Sequence, residues 1–446
     1  MASVSPVVLR FVTEEWKLEV PSPPHDALSV EARRAHLAAH PRSYLGVTRA
    51  PEDGAADDTV DVSVQETTSG AVGGNVDGSN GSIGPADRAL LAGRRTLEQL
   101  LAADVFGPAD GPTFYVYRLV DGDHHQSGLV CGVATGDYND GTVRIHERIN
   151  QTRADHLARH LQVVGAQSSP IAMAFRSAPV VTDIMHRTTG SGPPFLDIVD
   201  ENGLTQQLWR VAEDQVDTIQ AALAEHPLYL IDGHHRAAAA STDLRTSDGE
   251  DGDHRMLSVL FPYEELRNQA FHRVLTQLDA EELVAALTER FAVRSTDNPE
   301  VVVGRAPTEL ALAVPSGPEE TGQILRWLLF DIPFDEPDTS ALENIDPIRL
   351  GTHVVGPVLN TDESGADSRL SYRPGHADLQ TLGELTLKPG EVLFLMRPVQ
   401  MQTLMEASDL GKVMPPKSTY FQPKVRSGLF VRIIDPTLEN GTAASA

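Results

Sequence analysis

Apolar and polar residues alternate in short bursts along much of this chain, and stretches of helical spacing interrupt them. Residues 5–12 (SPVVLRFV) predict a short strand, Pro21 to Pro24 a loop, and Val30 to Ala39 a helix that stops at Pro41. Helical periodicity returns from Arg88 to Ala103. From 113 the pattern turns to strands. TFYVYRLV (113–120) and GLVCGVAT (128–135) predict a hairpin closed by the polar turn DGDHHQS. TVRIHERI (142–149) alternates as a strand and runs into a helix near Thr152 to His160. IAMAFR and APVVTDIM follow, then GLTQQLWRV, another short strand. Asp214 to Glu225 predicts a helix, LYLI (228–231) a buried strand, HRAAAASTDLR a helix directly after it, and MLSVLFPY (256–263) a further strand. Beyond 276 the alternation is looser. A helix (LDAEELVAALTERF) precedes the strands ELALAVPS, QILRWLLFDI and EVLFLMRPV. A helix from Met401 to Leu410 and a closing strand, GLFVRII (428–434), complete it.

This mixture, with many hairpin signals and no internal repeat, predicts an α+β fold built on mixed sheets. It divides the chain into an N-terminal segment (1–105), a central domain (106–275) and a smaller C-terminal α+β domain (276–446). Residues 51–84 are acidic, rich in Gly, Ser, Thr and Asn and free of aromatics. They cannot bury enough surface to offset ordering entropy, and predict a flexible insertion.

Composition narrows the function classes. Apolar residues make up 41% of the 446, enough for a large core. The net charge of −27 disfavours binding to nucleic acid and adsorption to an anionic membrane, because both need clustered cations. The single cysteine, Cys131, excludes an internal disulfide framework and a CxxC zinc site. It lies in an apolar run that predicts burial. Without a signal-peptide pattern or a long apolar run, the expectation is a soluble cytoplasmic protein. Oligomeric state is open, a homodimer included. Only five of the 36 basic residues are lysines, and three of these, Lys412, Lys417 and Lys424, fall close together.

The sharpest local feature is Leu228-Tyr-Leu-Ile-Asp232-Gly233-His234-His235-Arg236, followed by four alanines. It predicts strand, tight glycine turn, helix. Gly233 removes the Cβ that would block an anion. His234, His235 and Arg236 place potential cations at the positive end of a helix dipole, a conflict that a docked phosphate resolves. Asp232 beside such a phosphate suits Mg²⁺ binding or proton transfer. The same residues also suit an ordinary strand–helix turn with Asp232 as N-cap. Arg144, His146 and Glu147 form a second cluster. There Glu147 at a strand-to-helix corner suits a general base, and the set equally suits a surface salt-bridge patch. A third is Val413–Lys424 (VMPPKSTYFQPK). Lys417, Ser418 and Lys424 on its proline-stiffened loop suit phosphate or carboxylate binding, or a structural loop that closes the domain. His156 and His160 have the spacing of a metal pair without a third ligand; His124-His125 reads as a solvent-exposed turn; His272-Arg273 is a weaker candidate to reach a site. No Walker A loop, Rossmann fingerprint, kinase signature set or G-x-S-x-G elbow is present.

With these segments in order, the chain resembles an uncharacterised bacterial family marked by a DGHHR box. The shared segments are Pro24-His25-Asp26 with its helix, TFYVYRL and GLVCGVATGDY, RIHE, the box at 232–236, FHRVL, and MPPKSTYFQPK with SGLF. The box in turn resembles that of the ParB/sulfiredoxin-like superfamily, where a G-x-x-R element opens a helix and binds nucleotide phosphates. Gly233 and Arg236 occupy those places. Sulfiredoxins carry a catalytic cysteine that this box lacks. The free-serine kinases of the superfamily carry D-G-H-T-R, matched here by Asp232, Gly233, His234 and Arg236, with His235 in place of threonine. The family usually has tyrosine where His25 stands, and a threonine near Ile149.

The resemblance implies a kinase that phosphorylates a small hydroxylated metabolite, foremost L-serine, with ATP or ADP and Mg²⁺. It implies a glutamate base, assigned to Glu147, with Asp232 and His234 catalytic and Asp232 on the metal. Gly233, His235 and Arg236 would hold the nucleotide, and His146, Arg273, Lys417, Ser418 and Lys424 the acceptor. The alternative it leaves is a ParB-like nucleotide-binding switch without a small-molecule acceptor.

Overall fold

Strands that bury both faces need a packed layer on each side, and the two large sheets of this chain both have one. The computed structural model describes residues 2–23, 28–48, 84–246, 254–316, 324–334, 341–359, 369–376 and 378–440. The acidic stretch 51–83 and the pair His25-Asp26 lie outside the described residues.

The first sheet has nine strands. From one edge its order is Val143–Arg144, Leu228–Asp232, Ile171–Phe175, Arg255–Pro262, His124–Ala134, Tyr115–Asp121, Thr205–Arg210 and Leu196–Val199; Val4–Ser5 pairs with His124–Ala134. Two pairings are parallel and the rest antiparallel, so the sheet is mixed. Alternation sends Tyr115, Tyr117 and Tyr229 into one core and Phe114, Val116, Leu228 and Leu230 into the other. Cys131 is buried in the second of these.

The second sheet has seven strands, all antiparallel: Val293–Thr296, Ile324–Asp331, Glu309–Ser316, Val392–Leu395, Arg267–Leu275 and Leu370–Gly375, with Tyr420–Gln422 pairing the start of Arg267–Leu275. The chain then returns. Phe430–Ile433 lies between Arg10–Phe11 and Ala166–Gln167 in a small third sheet, and Leu404, Met405, Phe421 and Val431 pack into the core that holds Tyr229. The fold is α+β. This return carries the 413–424 loop back to the first sheet.

Most expected elements form. The helix Val30–Ala39 has the expected ends, capped by the Ser29 hydroxyl on the Ala32 N–H. Four local expectations change. The single strand expected over 5–12 forms as two short ones, Val4–Ser5 and Arg10–Phe11, in different sheets. The hairpin turn shrinks, because His124 and His125 pair with Asp121 and Val120 inside the ladder. The strand at 142–149 ends at Arg144. APVVTDIM lies in the helix Pro179–Gly190. Pro179 opens it, and Val181, Ile184 and Met185 form its buried face at helical spacing.

Candidate functional site

The box strand Leu228–Asp232 has an extra residue. Its register against Ile171–Phe175 shifts between Leu230 and Asp232, so Asp232 does not continue the face of Leu230. Gly233 follows at φ +94, a conformation that favours glycine, and the helix His234–Thr246 begins at once. A Cβ at Gly233 would sit 3.1 Å from the Arg236 guanidinium, which is folded under the turn. There Arg236 donates to the carbonyls of Ser169 (2.9 Å) and Pro170 (2.5 Å) and to Asp232 (2.6 Å). The other Asp232 oxygen accepts from Lys424. Burial alone would raise the Asp232 pKa. The charges of Lys424 and Arg236 outweigh it and hold the carboxyl at about 2.

A cavity of about 1030 Å³ opens over this turn. Asp232, Gly233, His234, His235 and Arg236 line it, with Glu147, Lys417 and Lys424. Two helices open onto it. One is the box helix. The other is Gln151–Val164, capped by the Asn150 side chain on the Arg153 N–H. The first N–H groups of each have no acceptor within their own helix, and both dipoles favour an anion in the cavity.

Glu147 follows the truncated strand on an irregular corner, 145–150. His235 Nε2 accepts from the Asn150 N–H (3.0 Å), which ties that corner to the box helix. The Glu147 carboxylate is 3.9 Å from His234 Nδ1, and burial raises its pKa above the ordinary glutamate range. His234 is buried, its ring stands edge-on to His146 at 4.6 Å, and its Nε2 has no hydrogen-bond partner among the described residues. Burial, then the neighbouring His146, pushes its pKa well below the ordinary histidine value. Burial lowers that of His146 to about 4. Both rings are neutral near pH 7.

The candidates therefore separate. Glu147, Asp232, Gly233, His234, His235, Arg236, Lys417 and Lys424 share the cavity wall. His146, Arg273 and Ser418 do not line it. His146 lies behind His234, 3.2 Å from the Thr419 hydroxyl. Ser418 donates to the Pro415 carbonyl (2.7 Å). Arg273 is fully buried and donates to the carbonyls of Phe271, Pro416 and Lys417. These three support the wall from behind. Within the wall, His235 and Arg236 use ring and guanidinium atoms on the protein's own main chain, and the turn offers an anion its backbone instead.

Asp232 does not fit as the ligand of a resident Mg²⁺. Both its oxygens already accept from cations, and among the described residues no cluster of three metal-binding side chains occurs. His160 contacts the Val47 carbonyl (2.9 Å) and stands with His156 on the wall of the cavity without a third metal ligand.

Sequence reasoning missed Arg153 and Phe271, which also line the cavity, and within the 413–424 loop it chose Ser418 where Thr419 and Tyr420 reach the wall. Arg153 carried a usable signal. It is a cation in the first turn of a helix, the same conflict that marks the box.

No helix among the described residues is long and apolar enough to cross a membrane. Three solved structures show remote likeness. A free serine kinase in complex with AMP is 15% identical over 67% of this chain and 92% of its own, at a TM-score of 0.34. SbnI with C-terminal truncation, from Staphylococcus aureus, is 10% identical over 70% and 94%, at 0.36. A conserved hypothetical protein from Pyrococcus furiosus is 12% identical over 67% and 95%, at 0.32. No curated protein matches the chain significantly. The family model described as a protein of unknown function, DUF1015, matches residues 79–330, which include the box. Because that match spans more than half of the 446 residues, the chain belongs to the DUF1015 family of proteins of unknown function.

Proposed function

We propose that the cavity is a phosphoryl-transfer site and the protein a nucleotide-dependent kinase of a small hydroxylated metabolite, with L-serine the first acceptor to test. One observation carries this reading: a half-buried carboxylate of raised pKa, Glu147, shares a cavity with the box turn, Arg153, Lys417, Lys424 and two helix N-termini. The resemblance of the box to the ParB/sulfiredoxin-like superfamily and its serine kinases supports the phosphate assignment. On this reading the central segment, 106–275, supplies the nucleotide seat, and the 413–424 loop completes it.

Phosphoryl transfer asks a protein mainly for position and charge compensation. The nucleotide phosphates would lie against the main chain of the box turn and of residues 150–153, with Lys424 and Arg153 offsetting their charge. The acceptor hydroxyl oxygen attacks the terminal phosphorus of ATP or ADP. Its proton passes to Glu147, the bond from that phosphorus to the bridging oxygen breaks, and the shortened nucleotide keeps the electron pair. Asp232, ionised at any physiological pH, fixes Lys424 in place and is too weak a base to take the proton. Neutral His234 leaves Glu147 without a fixed ion-pair partner on that side, so the carboxylate keeps its basicity. Lys417 faces the acceptor side, where it suits a carboxylate.

The test is phosphoserine formation from L-serine with ATP or ADP, followed by mass. Glu147→Gln is expected to lower the rate by about 10²–10⁴-fold while nucleotide affinity stays within about two-fold. The wild-type acid limb should fall at a pH above the ordinary glutamate range. Nucleotide binding without transfer to any small alcohol would remove the kinase reading in favour of a binding switch.

A further inference from the structure

We infer that Arg273 is a positioning residue. From the second sheet it holds Lys417 with its ammonium on the cavity of the first, and so sets a preference for an acceptor that carries an anionic group. The acceptor half of this inference rests on the kinase reading above; the positioning half rests on geometry alone.

Lys417 has φ +54, a left-handed conformation that an L side chain adopts only when its surroundings enforce it. The enforcing contacts are present. Arg273 donates one guanidinium nitrogen to the Lys417 carbonyl (2.9 Å) and to the Phe271 carbonyl (2.7 Å), and the other to the Pro416 carbonyl (3.2 Å). The Ser418 hydroxyl closes the turn on Pro415. Arg273 is fully buried and lies over the Tyr372 ring at 5.0 Å. A planar fork reaches two successive carbonyls at once; a lysine ammonium, a point donor, does not.

The same strand supplies the platform. Phe271 stands two residues before Arg273, and the Lys417 ammonium lies 5.2 Å from the centre of its ring. Among the described residues no carboxylate pairs with Lys417, whereas Lys424 pairs with Asp232. Lys417 is also exposed, and it lines the same cavity as Asp232 and Lys424. An ammonium held in a strained turn over an aromatic ring, near enough for its charge to be felt at Glu147 but with no carboxylate in contact, suits an anion that arrives with the substrate.

The test uses the full chain. In Arg273→Lys, amide exchange in the 413–421 segment is expected to rise about ten-fold or more, while that of the box helix is unchanged. The KM for L-serine is expected to rise about ten-fold, with kcat and nucleotide affinity within about two-fold. Serinol, which lacks the carboxylate, should show no such change. In a Lys417→Met background the same substitution should add almost nothing to KM, because Arg273 acts through Lys417. Equal effects in both backgrounds, or unchanged exchange in 413–421, would overturn the inference. Should Arg273→Lys fail to fold, Arg273→Gln takes its place in every arm. If the wild type phosphorylates nothing, the kinase reading fails, and the exchange arm still decides whether Arg273 holds the loop.

Discussion

Two aspartates in this molecule are each surrounded by cations, and they do different work. Asp346, beneath the second sheet, is almost wholly buried and meets Arg397 at 2.8 Å, Arg305 at 3.5 Å and Arg349 at 3.6 Å. Every one of those guanidiniums also donates to main-chain carbonyls, among them Val302, Leu395, Pro307, Thr308, Ala306 and Glu309. Burial, then the charge of Arg397, pushes Arg305 down to about 10. That cluster fastens loops to a sheet and faces inward. Among the described residues Asp232 pairs with Lys424 and Arg236, and it lines a cavity that Lys417, Arg153 and Glu147 also line. The chemistry of the two clusters is similar. Access to a cavity distinguishes a candidate site from a fastening.

The comparison breaks first at Asp346. Asp346→Ala leaves three arginines without their shared carboxylate, two of them deeply buried, and should cost about 3–5 kcal/mol of stability, read as a lower thermal midpoint. Nucleotide affinity of the folded fraction should not change. Asp232→Asn should cost less, about 2 kcal/mol near neutral pH. Because its folded pKa is held near 2, below the ordinary 3.8, the wild-type contribution is fully present above the ordinary value and is lost as pH falls through about 2. Acid titration of stability should lose that component in the variant.

A smaller effect sharpens the cavity side. His234 and His146 are held neutral in the fold, with pKa values below the ordinary 6.5. The unfolded chain takes up protons there first, so stability should be complete above about 6.5 and should decline as pH drops toward 5. Removing one such histidine, as in His234→Asn, should flatten the slope by at most about 1.4 kcal/mol per pH unit. An unchanged slope would mean that the ring is not held neutral by the fold.

How much of this was legible in the sequence differs by the kind of contact. The helix Val30–Ala39 could be located from Ser29, the apolar spacing and Pro41. The box could be located because an apolar run, a glycine and an alanine-rich helix follow one another, and Glu147 stood out as a carboxylate beside a helix start. The corner after Arg144 could not. Its alternating residues look like a strand, yet the Asn150 N–H goes to a side chain, His235, and the His146 carbonyl accepts from the Met414 N–H. Nor could the roles of Arg236 and Arg273. Apart from Asp232, their acceptors are carbonyls of residues 169–170, 271 and 416–417, and a main-chain carbonyl leaves no trace in residue identity. APVVTDIM failed for a related reason, because a proline at a helix start and one buried face outweigh the β-branched composition.

The most direct test of the account is the thermal midpoint of the full chain with and without about 1 mM ATP or ADP, in the wild type and in Lys424→Met. A ligand that binds the folded state raises the midpoint by mass action. The account predicts a clear rise in the wild type that is largely lost in Lys424→Met. No rise with any nucleotide, or an equal rise in both proteins, would contradict a phosphate seat at the box turn.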